Sequence, residues 1–202
     1  MINLVYKEKD YGTEFGRFDF YHFMVPELGS KRIFVYAVNI SDTLSPMVRV
    51  QFGCLYGFLS FGTECDCYSQ WKSSLKKIQA YGSGIAILLV DDDGRGIGFE
   101  NKTKFLKLQN RLNKPPIYTA RRFHIKYEDF SSFVAIPYIL RYLKVTKPLI
   151  LLSNSPQKKK SLLDLGVKIL KTIPLFEKNG YLEDKAIKEL EEKKQLLGHR
   201  LH

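Results

Sequence analysis

The chain predicts a mixed α/β fold, with a β-rich N-terminal part followed by an alternating strand and helix core, on three observations. Short alternating stretches crowd residues 1–50, apolar runs at 85–90 and 148–152 have the length of buried strands, and segments of helical period lie between and after those runs. In chain order, Arg17-Phe-Asp-Phe-Tyr-His22 and Arg32-Ile-Phe-Val-Tyr-Ala-Val38 read as strands. Residues 70–81 set Trp71, Leu75 and Ile78 on one helical face, with lysines opposite and Gly82 as the stop. Residues 85–90 then form a buried strand. A helix over 101–112, a helix over 131–143 kinked at Pro137, and a strand over 148–152 follow. Ser155 and Pro156 open the next helix as N-cap and first-turn proline. Residues 167–170 suit a strand and 182–197 a final charged helix. The whole, 1–202, is expected to be one domain, long enough to bury a core without staples.

A hydrophobic content of 45% includes no run that would span a bilayer, and the N-terminal residues lack the apolar centre of a signal peptide, so a cytoplasmic protein is expected. A formal net charge of +11 favours anionic partners. Much of it sits at Lys158–Lys160 and Lys193-Lys194, runs of a kind that are more often solvated faces. No zinc-finger spacing, RNA-binding aromatic signature or basic region with heptads is present, which makes nucleic acid the weaker partner class.

All three cysteines, Cys54, Cys65 and Cys67, fall within one stretch of fourteen residues. Free cysteine is often simply a small buried residue, but clustering with none elsewhere points to a metal. Three ligands suit a catalytic zinc that keeps a place for water, and four a structural one. An odd count with a one-residue gap fits disulfides poorly. Completion of the shell by His124 would make the metal structural; His22 has no ligand spacing.

Two loops follow the core strands. Asp91-Asp-Asp-Gly-Arg95-Gly-Ile-Gly98 has glycines for tight turns and an arginine able to fork onto phosphate, and is otherwise a surface turn. Ser153-Asn-Ser-Pro-Gln-Lys158 offers a helix start and a lysine to an anion, and is otherwise a capped helix.

In order and spacing, these segments resemble the GTP cyclohydrolase II family, zinc enzymes that open the guanine imidazole ring in riboflavin synthesis. The resemblance runs from Thr13-Glu-Phe-Gly-Arg-Phe through Val48-Arg-Val, Cys54-Leu-x-Gly57, Cys65-Asp-Cys67-x-x-Gln70, Gly94-Arg-Gly-Ile-Gly98 with Asn101-Lys102, and Leu151-Leu-Ser-Asn-Ser-Pro156, to Gly180-Tyr-Leu and Leu197-Gly-His199-x-Leu201. It implies Cys54, Cys65 and Cys67 as zinc ligands holding a water whose lowered pKa supplies hydroxide. It places Arg49, Gln70, Asp93, Gly94, Arg95, Ser153 and Lys158 around the nucleotide, with Mg²⁺ bridging its phosphates, and it implies a homodimer.

The departures are specific. Asp93 stands where the family has glutamate, Gly53 where it has glutamate beside the first cysteine, Tyr56 for a threonine, and Glu64 for a basic residue. Leu106 occupies the place of the catalytic tyrosine. Counting back from Leu143-Lys-Val145 puts Asp129 at the proton-accepting aspartate and Ser131 at the arginine assigned as nucleophile toward the α-phosphate, with Arg121 or Arg122 as substitutes. Three readings follow: a zinc hydrolase that opens a purine ring without later deformylation or pyrophosphate release, a catalytically inactive paralogue that binds zinc and nucleotide, or ordinary riboflavin-pathway catalysis giving the standard pyrimidine product and formate.

Overall fold

The computed structural model describes residues 2–40, 44–59, 65–112, 116–122, 124–125, 128–175 and 184–200. Glu64, the Gly180-Tyr-Leu stretch and Leu201 lie outside them. Strands β1 (Asn3–Thr13), β2 (Gly16–Val25), β3 (Lys31–Val38), β4 (Met47–Phe52), β5 (Gly84–Leu89), β6 (Leu149–Leu152) and β7 (Ile169–Ile173) form one mixed sheet in the order β1-β2-β3-β5-β4-β6-β7. The β1–β2, β2–β3 and β3–β5 pairs are antiparallel, whereas β5, β4, β6 and β7 run parallel. From β4 the chain moves to β5 on one side, then to β6 on the other. That reversal opens a crevice at the carboxyl ends of the parallel strands, where ligands of such sheets bind.

Helices α1 (Leu55–Phe58), α2 (Cys67–Tyr81), α3 (Gly98–Leu112), α4 (Pro116–Arg122), α5 (Ile136–Tyr142), α6 (Pro156–Asp164) and α7 (Asp184–Leu197) complete the described elements. One sheet face packs Val48, Val50, Ile85 and Ile87 against Phe133, Ile136 and Ile139; the other packs Ala86 and Leu152 against Trp71, Leu75 and Ile78 of α2. Alternation along each strand supplies the two faces. No helix among the described residues is long and apolar enough to cross a membrane.

The predicted mixed α/β class is the one observed, with local differences. β4 was not predicted as a strand, because Arg49 and Gln51 break its apolar pattern; both are buried beside α2. Pro137 does not kink a helix. A 3-10 turn over Ser131–Ala135 comes first, and the proline sits in the opening turn of α5, where its missing N–H costs nothing. α2 starts at Cys67 rather than residue 70, β7 begins at Ile169 rather than 167, and α4 was not foreseen.

Candidate active site

The three thiols meet where β4 ends. Gly53 continues the ladder one step, its N–H donating to Leu89 O at 2.8 Å. A Cβ at Gly53 would stand 2.2 Å from Val90 O, so the backbones approach too closely for any side chain, and the departure at this position is a local packing requirement. Cys54 caps α1, its Sγ accepting from Gly57 N at 3.4 Å. Cys65 and Cys67 flank Asp66, the N-cap residue of α2. All three Sγ atoms lie within 4.8 Å of one another, and those of Cys54 and Cys65 are 3.8 Å apart. Bonds of about 2.3 Å to a tetrahedral zinc would space sulfurs about 3.8 Å apart, the spacing of the Cys54–Cys65 pair, with Cys67 close enough to join them around such an ion. Hydrogen bonds from Cys65 and Cys67 pull the Cys54 thiol well below its usual range, while the contact with Cys54, followed by other influences including burial, pushes Cys65 and Cys67 up. No other group of histidine, cysteine and carboxylate ligands occurs among the described residues. His124 is exposed and outside this cluster, which removes it as the fourth ligand.

The thiols line a cavity of about 370 Å³. Its floor is held by Arg49, only 2% exposed. The Arg49 guanidinium donates to Leu152 O at 3.1 Å, to Gln51 Oε1 at 3.0 Å and to Gln70 Oε1 at 2.5 Å. Gln70 in turn donates to the Asp66 carboxylate, tying the arginine to the loop that carries Cys65 and Cys67. Burial pulls Arg49 down to about 10, which leaves it charged at neutral pH.

The loop after β5 divides its three aspartates. Lys31 pairs with Asp92 and Arg32 with Asp91, both from the start of β3, and the Arg32 guanidinium holds the Asp91 carboxyl below its usual range. Asp93 turns inward. Its Oδ1 accepts from Arg95 N at 2.8 Å and Gly96 N at 2.7 Å, while Oδ2 is buried without a hydrogen-bond partner. Gly94 has φ +79°, the left-handed conformation this turn needs. Lys102 Nζ donates to Asp93 O at 2.9 Å, and the Arg95 guanidinium sits 4.7 Å from the Phe105 ring centroid.

The loop after β6 behaves as a capped helix start that also faces the cavity. Ser153 Oγ accepts from Ser155 N at 3.1 Å, and Ser155 Oγ accepts from Lys158 N at 3.2 Å. Lys158 is 8% exposed, its Nζ donating to Val50 O at 3.4 Å and lying 4.5 Å from the Phe52 ring centroid. Burial, followed by the charge of Arg49, pulls it down to about 7.

Arg49, Gln70, Asp93, Gly94, Arg95, Ser153 and Lys158 therefore share one cavity with the three cysteines. Asp129 is placed differently. Its N–H donates to Gly94 O at 2.7 Å, its Oδ1 accepts from Ser131 N at 3.0 Å, and it packs against Gly96 outside the lining; Glu128 lines the cavity instead. Ser131, Arg121 and Arg122 are exposed and also outside it. Leu106 lines the wall between Lys102 and Gln109, a stripe at helical spacing on α3. Gln51, Gln109, Glu128 and Asn154 were missed, since each looks ordinary in the sequence. Lys193 was read as part of a solvated run, yet α7 brings it into the lining.

A three-thiol centre and buried cations at the carboxyl ends of a parallel sheet define a metal-ready, anion-receptive α/β protein. The chain belongs to the GTP cyclohydrolase II family, whose profile matches residues 5–174. It is similar to the GTP cyclohydrolase-2 of Buchnera aphidicola, 32% identical over 182 residues, covering 87% of this chain and 91% of that protein. With the GTP cyclohydrolase-2 of Neisseria gonorrhoeae it shares 31% identity over 182 residues, covering 87% and 89%. With the riboflavin biosynthesis protein RibBA of Phocaeicola vulgatus it shares 31% over 196 residues, 96% of this chain but 46% of that protein, so it spans about half of that relative.

Proposed function

We propose that the protein is a zinc-dependent hydrolase that opens the imidazole ring of GTP or a related purine nucleotide. The observation that carries this reading is the meeting of three thiols with buried Arg49 and Lys158 in one cavity. Cys54, Cys65 and Cys67 would hold the zinc, which when bound supplies the Lewis acid that makes water nucleophilic near neutral pH. Arg49, Arg95 and Lys158 would bind phosphate oxygens, Mg²⁺ would enter with the nucleotide and offset part of its charge, and Asp93 would present its unpartnered oxygen to a donor on the ligand. Gln70 orients Arg49, and Ser153 holds the Ser155 backbone that opens α6.

The reaction is proposed to stop early. Leu106 has no donor, and neither Ser131 nor the exposed Arg121 and Arg122 bring an arginine to the cavity. Glu128 is the carboxylate we place at the ligand, in the role first drawn for Asp129. The product would be GTP plus one water, keeping its formyl group and phosphates. The same substitutions favour a second reading, an inactive paralogue binding zinc and nucleotide. A cytoplasmic homodimer is part of the proposal; Phe20 with Tyr6, Tyr11, Phe34 and Tyr36 forms an aromatic cluster reaching the edge of the sheet, with Tyr6 50% exposed.

Zinc- and magnesium-replete protein incubated with GTP and followed by mass spectrometry tests this, with Cys54→Ser as control. A cysteine-dependent gain of one water is expected. Formate and loss of pyrophosphate would show the full family reaction, and no product from any purine nucleotide with zinc bound would leave the inactive reading.

A further inference from the structure

The C-terminal segment completes the cavity although it lies beyond the residues matched by the family profile. Of the described side chains of α7, residues 190–197, Leu190 is the buried one. Hydrogen bonds hold its end. Arg200 N donates to Asn154 O at 3.0 Å, His199 N donates to Lys193 O at 3.1 Å, and Gln157 Nε2 donates to Leu197 O at 3.3 Å. Asn154 and Gln157 belong to the loop and first turn around Lys158, so the segment is latched onto the anion-facing side of the site. Lys193 lines the same cavity as the thiol centre and the buried Lys158.

We propose that Lys193 is a phosphate-binding residue delivered by this segment, so that binding of a polyphosphate and docking of α7 are one linked event. Arg49 and Lys158 arrive on rigid strand and helix starts and are present before any ligand. Lys193 arrives with α7, whose end is latched to Asn154 and Gln157, and adds a third basic side chain to the lining, a set that a polyanion can bridge. Ligand-linked docking follows because the anion binds the docked state better than the undocked one. The proposal rests on the nucleotide reading above.

Calorimetric titration of the zinc-loaded full chain with Mg-GTP and with tripolyphosphate tests it, comparing Lys193→Ala, Lys193→Arg and Lys194→Ala. Hydrogen exchange across 190–200 is followed in parallel. Lys193→Ala is expected to weaken GTP about tenfold or more, as for a lost charge-assisted hydrogen bond, with Lys193→Arg retaining most affinity and Lys194→Ala matching wild type. GTP is expected to protect 190–200 in wild type and not in Lys193→Ala. Equal affinity and protection in Lys193→Ala and Lys194→Ala would overturn the proposal and leave the nucleotide reading standing. If wild type binds no GTP, that reading falls and tripolyphosphate decides: Lys193-dependent binding with protection supports the proposal, and no binding overturns it.

Discussion

Replacing Gly57 by alanine should separate the metal site from the fold. Gly57 lies in α1, and a Cβ there would stand 3.1 Å from Cys65 Sγ, 3.3 Å from Cys67 Cβ and 3.5 Å from Cys54 Sγ. Comfortable contact needs about 3.5–4.0 Å, so the sulfurs must give way by a few tenths of an ångström. Metal sites tolerate about 0.2 Å in ligand distance. Zinc affinity should therefore fall about 10–100-fold, or about 1.4–2.8 kcal/mol, as when a group supporting the ligands is disturbed. The helix itself should gain about 0.5–1 kcal/mol from the change. Competition with a colorimetric chelator measures the first effect, and thermal unfolding with and without zinc measures the second. The expected pattern is weaker zinc binding with an equal or higher melting temperature in the metal-free protein. Unchanged affinity, or a fall in metal-free stability that accompanies the lost affinity, would refute the reasoning.

Lys158, Asp129 and Glu128 give four further predictions. A lysine lowered from 10.5 to about 7 in the folded state penalises folding fully below pH 7; as pH rises from about 7 to 10.5 the folded chain sheds the proton first. Stability of the ligand-free protein from this group should rise through that window, by at most about 1.4 kcal/mol per pH unit, and Lys158→Met should remove the rise in denaturant titrations. A nucleotide needs the ammonium form, so binding above pH 7 should take up a proton and its enthalpy should vary with the buffer's ionisation heat; a buffer-independent enthalpy would count against Lys158 as a phosphate ligand. Asp129→Ala should cost about 1 kcal/mol through the lost turn contact with Ser131 and leave nucleotide affinity unchanged. Glu128→Gln should leave stability unchanged and alter the pH profile of turnover, and an unaltered profile would remove Glu128 from the chemistry.

The alternating core was legible because residues 85–90 and 148–152 are apolar without interruption, and only buried parallel strands need that. β4 was hidden by the function it serves: Arg49 and Gln51 occupy buried positions where a strand would normally carry apolar residues, so the segment read as a motif. The cysteine cluster was legible from spacing alone, since Cys65 and Cys67 bracket a helix cap and need no distant partner beyond Cys54. Glu128 and Asp129 are adjacent acids, and which one faces the cavity depends on a turn over Gly94 and Gly96 that the sequence does not display. Lys193 looked like any charged helical residue because its place in the cavity lining comes from how α7 docks, a tertiary event without a local signature.

The pairing of Lys31 and Arg32 with Asp92 and Asp91 has a consequence for how such a protein can change. No described residue before Arg49 belongs to the cavity lining, yet the start of β3 rivets the two acids that immediately precede Asp93. The angle at which Asp93 enters the site is thus set from outside it, by a strand that lies beyond the cavity lining. Altered ligand preference can arise from substitutions at the far edge of that loop, where they disturb no thiol and no buried cation. Selection acting on the antiparallel half of the sheet can retune the chemistry of the parallel half.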